Sequence, residues 1–263
     1  MSFQPFAPSG GLSGWRFVQA TLPQQRAAFA AGPVLERELA YFRDRIGTVT
    51  SAEELVGDYR LLSVALAAFG LSDEIGNRFL IRKVLEEGTT APDALANKLS
   101  DRRYRALSQA FGFGDFATPN TALSTFPDQI AEKFTERGFE RALGETRPGL
   151  RLALNARREL VEIAGSSGSN RTKWFTIMGT PPLRSVMETA LALPKSFAAL
   201  PIDRQLQEFQ VRAEAAFGTD DVAALAAAPV LDRLLDRFAA LDGLGRQGPG
   251  GPSSPALVLL RGF

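Results

Sequence analysis

The sequence predicts an all-α, multihelical fold, and three observations predict it. Apolar residues recur at helical spacing along nearly the whole chain. Helix start and stop signals bracket these runs: Pro or Ser at one end, Gly at the other. The long period-2 alternation of β-branched residues that marks strands is missing. At 263 residues, 45% of them hydrophobic, the chain can bury one large core or two small ones.

The elements follow in chain order. Residues 1–14, with Pro5, Pro8 and GGLSG, read as an irregular arm preceding a multihelical domain over 15–245. PVLERELAYFRDRIG opens with Pro33 and closes with Gly47, placing Val34, Leu35, Leu39, Phe42 and Ile46 at helical spacing. SAEEL at 51–55 is a capping box, Ser51 answered three residues on by Glu54; its helix extends toward Phe69 with a break at Gly57. Ser72 is expected to cap a helix to about Glu87 that buries Ile75, Phe79, Leu80 and Val84. Further helices fit 92–99, 101–111, 126–144, 149–164, 181–192, 203–217 and 229–241. The 19 Phe, many on apolar faces or at helix ends (Phe134, Phe209, Phe217, Phe238), read as core fillers between Ala-rich helices.

The tripeptide AFG occurs three times, ending at Gly70, Gly112 and Gly218. Glycine just past a helix can take the left-handed conformation without a Cβ clash. Leu71 after Gly70 and Phe113 after Gly112 can pack back on their helices, whereas polar Thr219 after Gly218 suits a cap for the next one. The first two turns are therefore expected to be alike.

Comparison of the two parts of the chain suggests a degenerate duplication, with halves 21–114 and 125–245. GDYRLLSVALAAFGL (57–71) lies over GTPPLRSVMETALAL (179–193), which pairs Gly70 with Ala192. Gly88-Thr89 meets Gly218-Thr219, FGFG (111–114) meets DGLG (242–245), and TLPQQ (21–25) resembles TFPDQ (125–129). RQGPGGPSS (246–254) has the composition of a flexible linker. The apolar PALVLLRGF that follows completes a segment over 246–263; Leu257, Val258, Leu259 and Leu260 could dock on the chain's own core or on a partner.

Composition excludes more chemistry than it suggests. With no His and no Cys, Ser-His and Cys-His nucleophilic pairs, imidazole acid/base catalysis, Cys/His zinc sites and disulfides are impossible within this chain. Carboxylate, Lys, Tyr or Arg chemistry remains, or a hard cation held by oxygens, and no cofactor or metal residue is assigned. Lys+Arg 30 against Asp+Glu 29 leaves +1, which favours neither nucleic acid nor an acidic membrane. No secretory signal or apolar run of bilayer length is visible.

GSSGSNRTK (165–173) superficially resembles a phosphate loop but lacks the GK[ST] ending and follows a helix, so an inter-helix loop is expected; its Asn170-Arg171-Thr172 is formally a glycosylation sequon. Arg102, Arg103 and Arg105 could touch phosphates or a partner, with Tyr104 stacking; the plainer reading turns Tyr104 inward and pairs the arginines with Asp101 and Glu74. Arg157-Arg158 has the same ambiguity; Glu86-Glu87 and Asp220-Asp221 could bind a cation, though helix-dipole and solubility roles are simpler.

The segments AFGLSDEIGNRFLIRKVLEEG and ANKLSDRRYRALSQAFGF, then FERALGE, LRLALNARRELVEIA and ALALPKSFAALPIDRQLQ, resemble an alphaproteobacterial family of unknown function. GGLSGW fits the family's opening. Many members are encoded near flagellar genes. The resemblance covers most of 20–241 and implies a multihelical fold but no activity, so no catalytic residue is carried over. It points to a non-enzymatic structural or interaction protein with protein partners, flagellar components among them. Such a protein would be cytoplasmic or exported through the flagellar apparatus. The alternative is a ligand-binding or carboxylate-based enzymatic helical domain; nucleic-acid binding through Arg102, Arg103 and Arg105 is a third reading. Oligomeric state is open.

Overall fold

The computed structural model describes residues 3–246, and among these there are helices and turns but no strand. Leu257–Leu260 and the rest of the segment beyond 246 lie outside the described residues. The described chain forms two compact units, one from residues 3–5 and Pro23–Ala142, the other from 6–22 and 143–246.

α1 (Gly11–Ala30) contributes residues to both units. Of the arm expected over 1–14, residues 3–10 are irregular and 11–14 open this helix. It continues through Pro23, which withdraws the N–H that the Gln19 carbonyl would otherwise receive. In the first unit α2 (Pro33–Arg45) follows, then α3 (Ala52–Gly57) and α4 (Tyr59–Ala68). Pro33 supplies the preset φ of a first helical turn. Ser51 caps α3 by accepting from Glu54 N–H, as the capping-box signature predicts, while the Glu54 side chain accepts from the Thr50 N–H one residue before the cap. Asp58 ends α3 and caps α4, accepting from the Arg60 and Leu61 N–H groups.

Ser72 opens only a 3-10 turn, Ser72–Glu74. Gly76 and Asn77 delay the α-helix to α5 (Arg78–Glu87), which rotates Phe79 outward: it is 81% exposed, against the expectation of burial. Val84 is buried as expected, and Ile75 and Leu80 are partly so. Val34 also faces solvent, while Leu39, Phe42 and Ile46 enter the core. Short α6 (Leu95–Lys98), α7 (Arg102–Phe111) and α8 (Phe126–Thr146) complete this part, α8 passing its last residues to the second unit. The first core gathers Phe42, Leu55, Leu62, Leu66, Ile81, Leu107 and Phe111, the last edge-on to Phe126 at 5.0 Å.

The second unit continues with α9 (Pro148–Ala164), α10 (Asn170–Met178) and α11 (Pro181–Ala190), followed by a 3-10 segment, Lys195–Ala199. It ends with α12 (Ile202–Phe217), α13 (Val222–Leu225) and α14 (Ala228–Arg246). Trp174 stacks on Phe209 at 5.7 Å, and Phe197 meets Phe209 edge-on at 4.8 Å. Phe217 and Phe238 are buried.

The three AFG turns do not pair as expected. At Gly70 (φ 72) the Leu71 N–H bonds to Leu66 O and the Gly70 N–H to Ala67 O, the two bonds of a Schellman motif. Gly112 and Gly218 instead make single bonds to Ser108 O and Glu214 O, the simpler left-handed cap. The match to Gly70 is Ala192: Leu193 N–H bonds to Glu188 O and Ala192 N–H to Thr189 O, at φ 53.

Two sequence pairings fall at unlike places. TLPQQ lies inside α1 but TFPDQ opens α8, and FGFG ends α7 whereas DGLG is helical within α14.

Candidate functional site

A polar groove of about 600 Å³ lies in the first unit, lined among others by Arg45, Glu54, Asp58, Tyr59 and Arg60. It is built where the end of α2 meets the caps of α3 and α4. Asp58 is fixed by its capping role and also accepts from the Tyr41 hydroxyl at 2.5 Å. Burial pushes the Asp58 carboxyl up, but the Tyr41 bond, the Leu61 and Arg60 N–H groups and the Arg45 charge outweigh it and hold it below 3.8. The same bond to Asp58 raises Tyr41, so its hydroxyl is no base near neutrality. Arg60 lies over the Tyr41 ring, 3.9 Å from its centroid, and bonds Glu38 and the Arg37 carbonyl. Glu54 is lowered first by the Thr50 N–H and then by its hydroxyl. The groove's ionisable groups are thus largely engaged with one another and with helix ends.

In the second unit, a cleft of about 640 Å³ is lined by 9–13, 146–150 and parts of 240–244. Asp242 lies close over Gly149 there: a Cβ would stand 2.1 Å from its Oδ2, so a larger residue would displace that carboxylate.

The basic run on α7 does not converge on a site. Arg103 grips Asp101 with Nε and Nη2 and donates from Nη1 to the Gly70 carbonyl, so it fastens the end of α4. Arg102 is engaged too, and Arg105 is exposed. Tyr104 is turned inward, 7% exposed; burial, then its bond to Glu74, pushes its hydroxyl up to about 12. Asp101 is raised by burial but lowered on balance by its bonds with Arg103. Arg157 pairs with Asp232 and lies over Trp15, and Arg158 pairs with Glu159.

GSSGSNRTK is a loop only to Ser169, which caps α10 on Thr172 N. Lys173 is spent on the Ala164 carbonyl at 2.7 Å. The sequon's Asn170 donates to Asp220 O and accepts from Val222 N, so its amide is committed to the fold. Glu87 accepts from Leu95 N, Glu86 pairs with Arg82, and Asp221 caps α13. No group of three or more Asp or Glu able to hold a metal ion occurs among the described residues. Nor is any helix among them long and apolar enough to cross a membrane.

Sequence reasoning passed over Asp115, whose carboxylate accepts from the N–H and hydroxyl of both Thr89 and Thr90. Burial pushes it up, yet these bonds leave it lowered. Gly88 and Gly114 permit the approach: a Cβ on Gly114 would lie 2.4 Å from Glu86 O and Gly88 N. The pattern TT…GD was the available signal, but its members stand 26 residues apart.

The fold defines an all-α, multihelical protein in which Asp58, Asp101 and Asp221 cap helices and many other acids pair with arginines. The chain belongs to the family described as protein of unknown function (DUF1217), whose model matches residues 68–226. It is similar to the crystal structure of the Agrobacterium tumefaciens protein AGR_C_984, with a TM-score of 0.72 and 25% identity over 94% of this chain and 100% of that one. No curated protein matches it.

Proposed function

We propose that this chain is a non-enzymatic helical interaction protein that works with components of the bacterial flagellum, in the cytoplasm or after export through the flagellar apparatus. The observation that carries the non-enzymatic part is how the acids are used. Asp58 and Asp101 cap helices, Asp115 clamps a loop, and Glu54 accepts from the Thr50 N–H. A catalytic carboxylate needs freedom to exchange protons near its working pH, and hydrogen bonds that depress its pKa oppose that. The flagellar part rests on the resemblance of the quoted segments. Its test is deletion of the gene followed by soft-agar swimming and filament counts. A reduced swimming zone restored by the plasmid-borne gene is expected; normal filaments and swimming would overturn it.

A second reading has the groove of Arg45, Glu54, Asp58, Tyr59 and Arg60 bind a small polar ligand. A thermal-shift screen with small zwitterions favours this reading if a hit disappears in Arg45→Ala.

The proposal includes the duplication expected between 21–114 and 125–245, narrowed by the helices to descent of α2–α7 and α9–α14 from one unit. The order supports it. Each series has a Pro-initiated helix, a Ser-capped short helix and a helix closed by a Schellman turn. A 3-10 segment, a helix ending at a positive-φ glycine (Gly88, Gly218) and a four-residue helix then follow. The packing agrees for α2 on α4 with α9 on α11, for α3 on α4 with α10 on α11, and for α7 on α5 and α6 with α14 on α12 and α13, but α14 also packs on α9 and α11. Superposing 33–111 on 148–237 should align the helices in order; permuted or reversed helices would refute common descent.

A further inference from the structure

We draw no further inference here: the strongest candidate, the second-unit cleft at the N-termini of α1 and α9, carries nothing, because Arg147 on its wall, though its Nε lacks a partner, is only half-buried and already donates to the Pro8 and Thr146 carbonyls.

Discussion

Ala192 is a non-glycine residue held at φ 53, in a turn whose hydrogen bonds match those around Gly70. A left-handed L-residue costs about 1–2 kcal/mol through the clash of its Cβ with the backbone. Glycine removes that clash but enlarges the unfolded ensemble, which takes back part of the gain. Ala192→Gly should therefore stabilise the protein by about 0.5–1 kcal/mol, read as a higher urea midpoint at unchanged slope. The reverse change, Gly70→Ala, should cost about 1–2 kcal/mol, since its Cβ would also stand 2.9 Å from Arg137 Nη1. Equal midpoints for Ala192→Gly and wild type would refute the strain. Asp115 is the other telling residue. Asp115→Ala leaves the Thr89 and Thr90 N–H groups without their acceptor, a loss of about 1–3 kcal/mol. Its folded pKa is lowered, so its contribution is present above the ordinary 3.8 and disappears as pH falls through the folded value. The wild-type advantage over Asp115→Ala should thus shrink below pH 4; an advantage constant from pH 6 to pH 2 would contradict it.

At the scale of the element, Asp58 joins two helices and a tyrosine. Asp58→Ala removes the cap of α4 and the acceptor of Tyr41, and should cost about 1–2 kcal/mol. Asp58→Asn keeps a capping oxygen and should cost clearly less; equal losses would mean that charge, not capping, is what Asp58 supplies. Phe79, on the outer side of α5, should tolerate Ser within about 0.5 kcal/mol, whereas Phe42→Ala in the core should cost about 3–5 kcal/mol. These contrasts show what was legible. Ser51 with Glu54 announced α3, Pro33 announced α2, and Gly57 marked the break, because caps, glycines and prolines act within a few residues. α1 was not visible, since Pro23 and GGLSG both argue against a helix that packing nevertheless sustains. α10 was hidden because SSGSN reads as loop although Ser169 is its cap. Phe79 was misplaced because Gly76-Asn77 shifts the helix start and with it the face. The groove escaped detection for a different reason: Tyr41 and Asp58 meet across 17 residues, and only folding brings them together.

For the whole molecule, the absence of His and Cys removes every side chain that ordinarily titrates between pH 5 and 8. Stability should consequently be flat across that range and fall on both sides for separate reasons. On the acid side, Glu54, Asp58, Asp101 and Asp115 all have lowered folded values. The unfolded chain takes up protons first, so stability is lost as pH falls below about 4. Protonation of the 29 Asp and Glu also leaves 30 Lys and Arg uncompensated, and their repulsion adds to the loss. On the alkaline side Tyr104 stays protonated to about 12 when folded but ionises near 10.0 when exposed. Its contribution is complete below pH 10.0 and lost as pH rises through the folded value. Thermal midpoints followed by helical circular dichroism from pH 3 to pH 11 should trace a plateau with two falling limbs, the alkaline one shallower in Tyr104→Phe. A step of more than about 1 kcal/mol between pH 5 and 8 would require a strongly shifted Lys, Asp or Glu and would overturn the plateau.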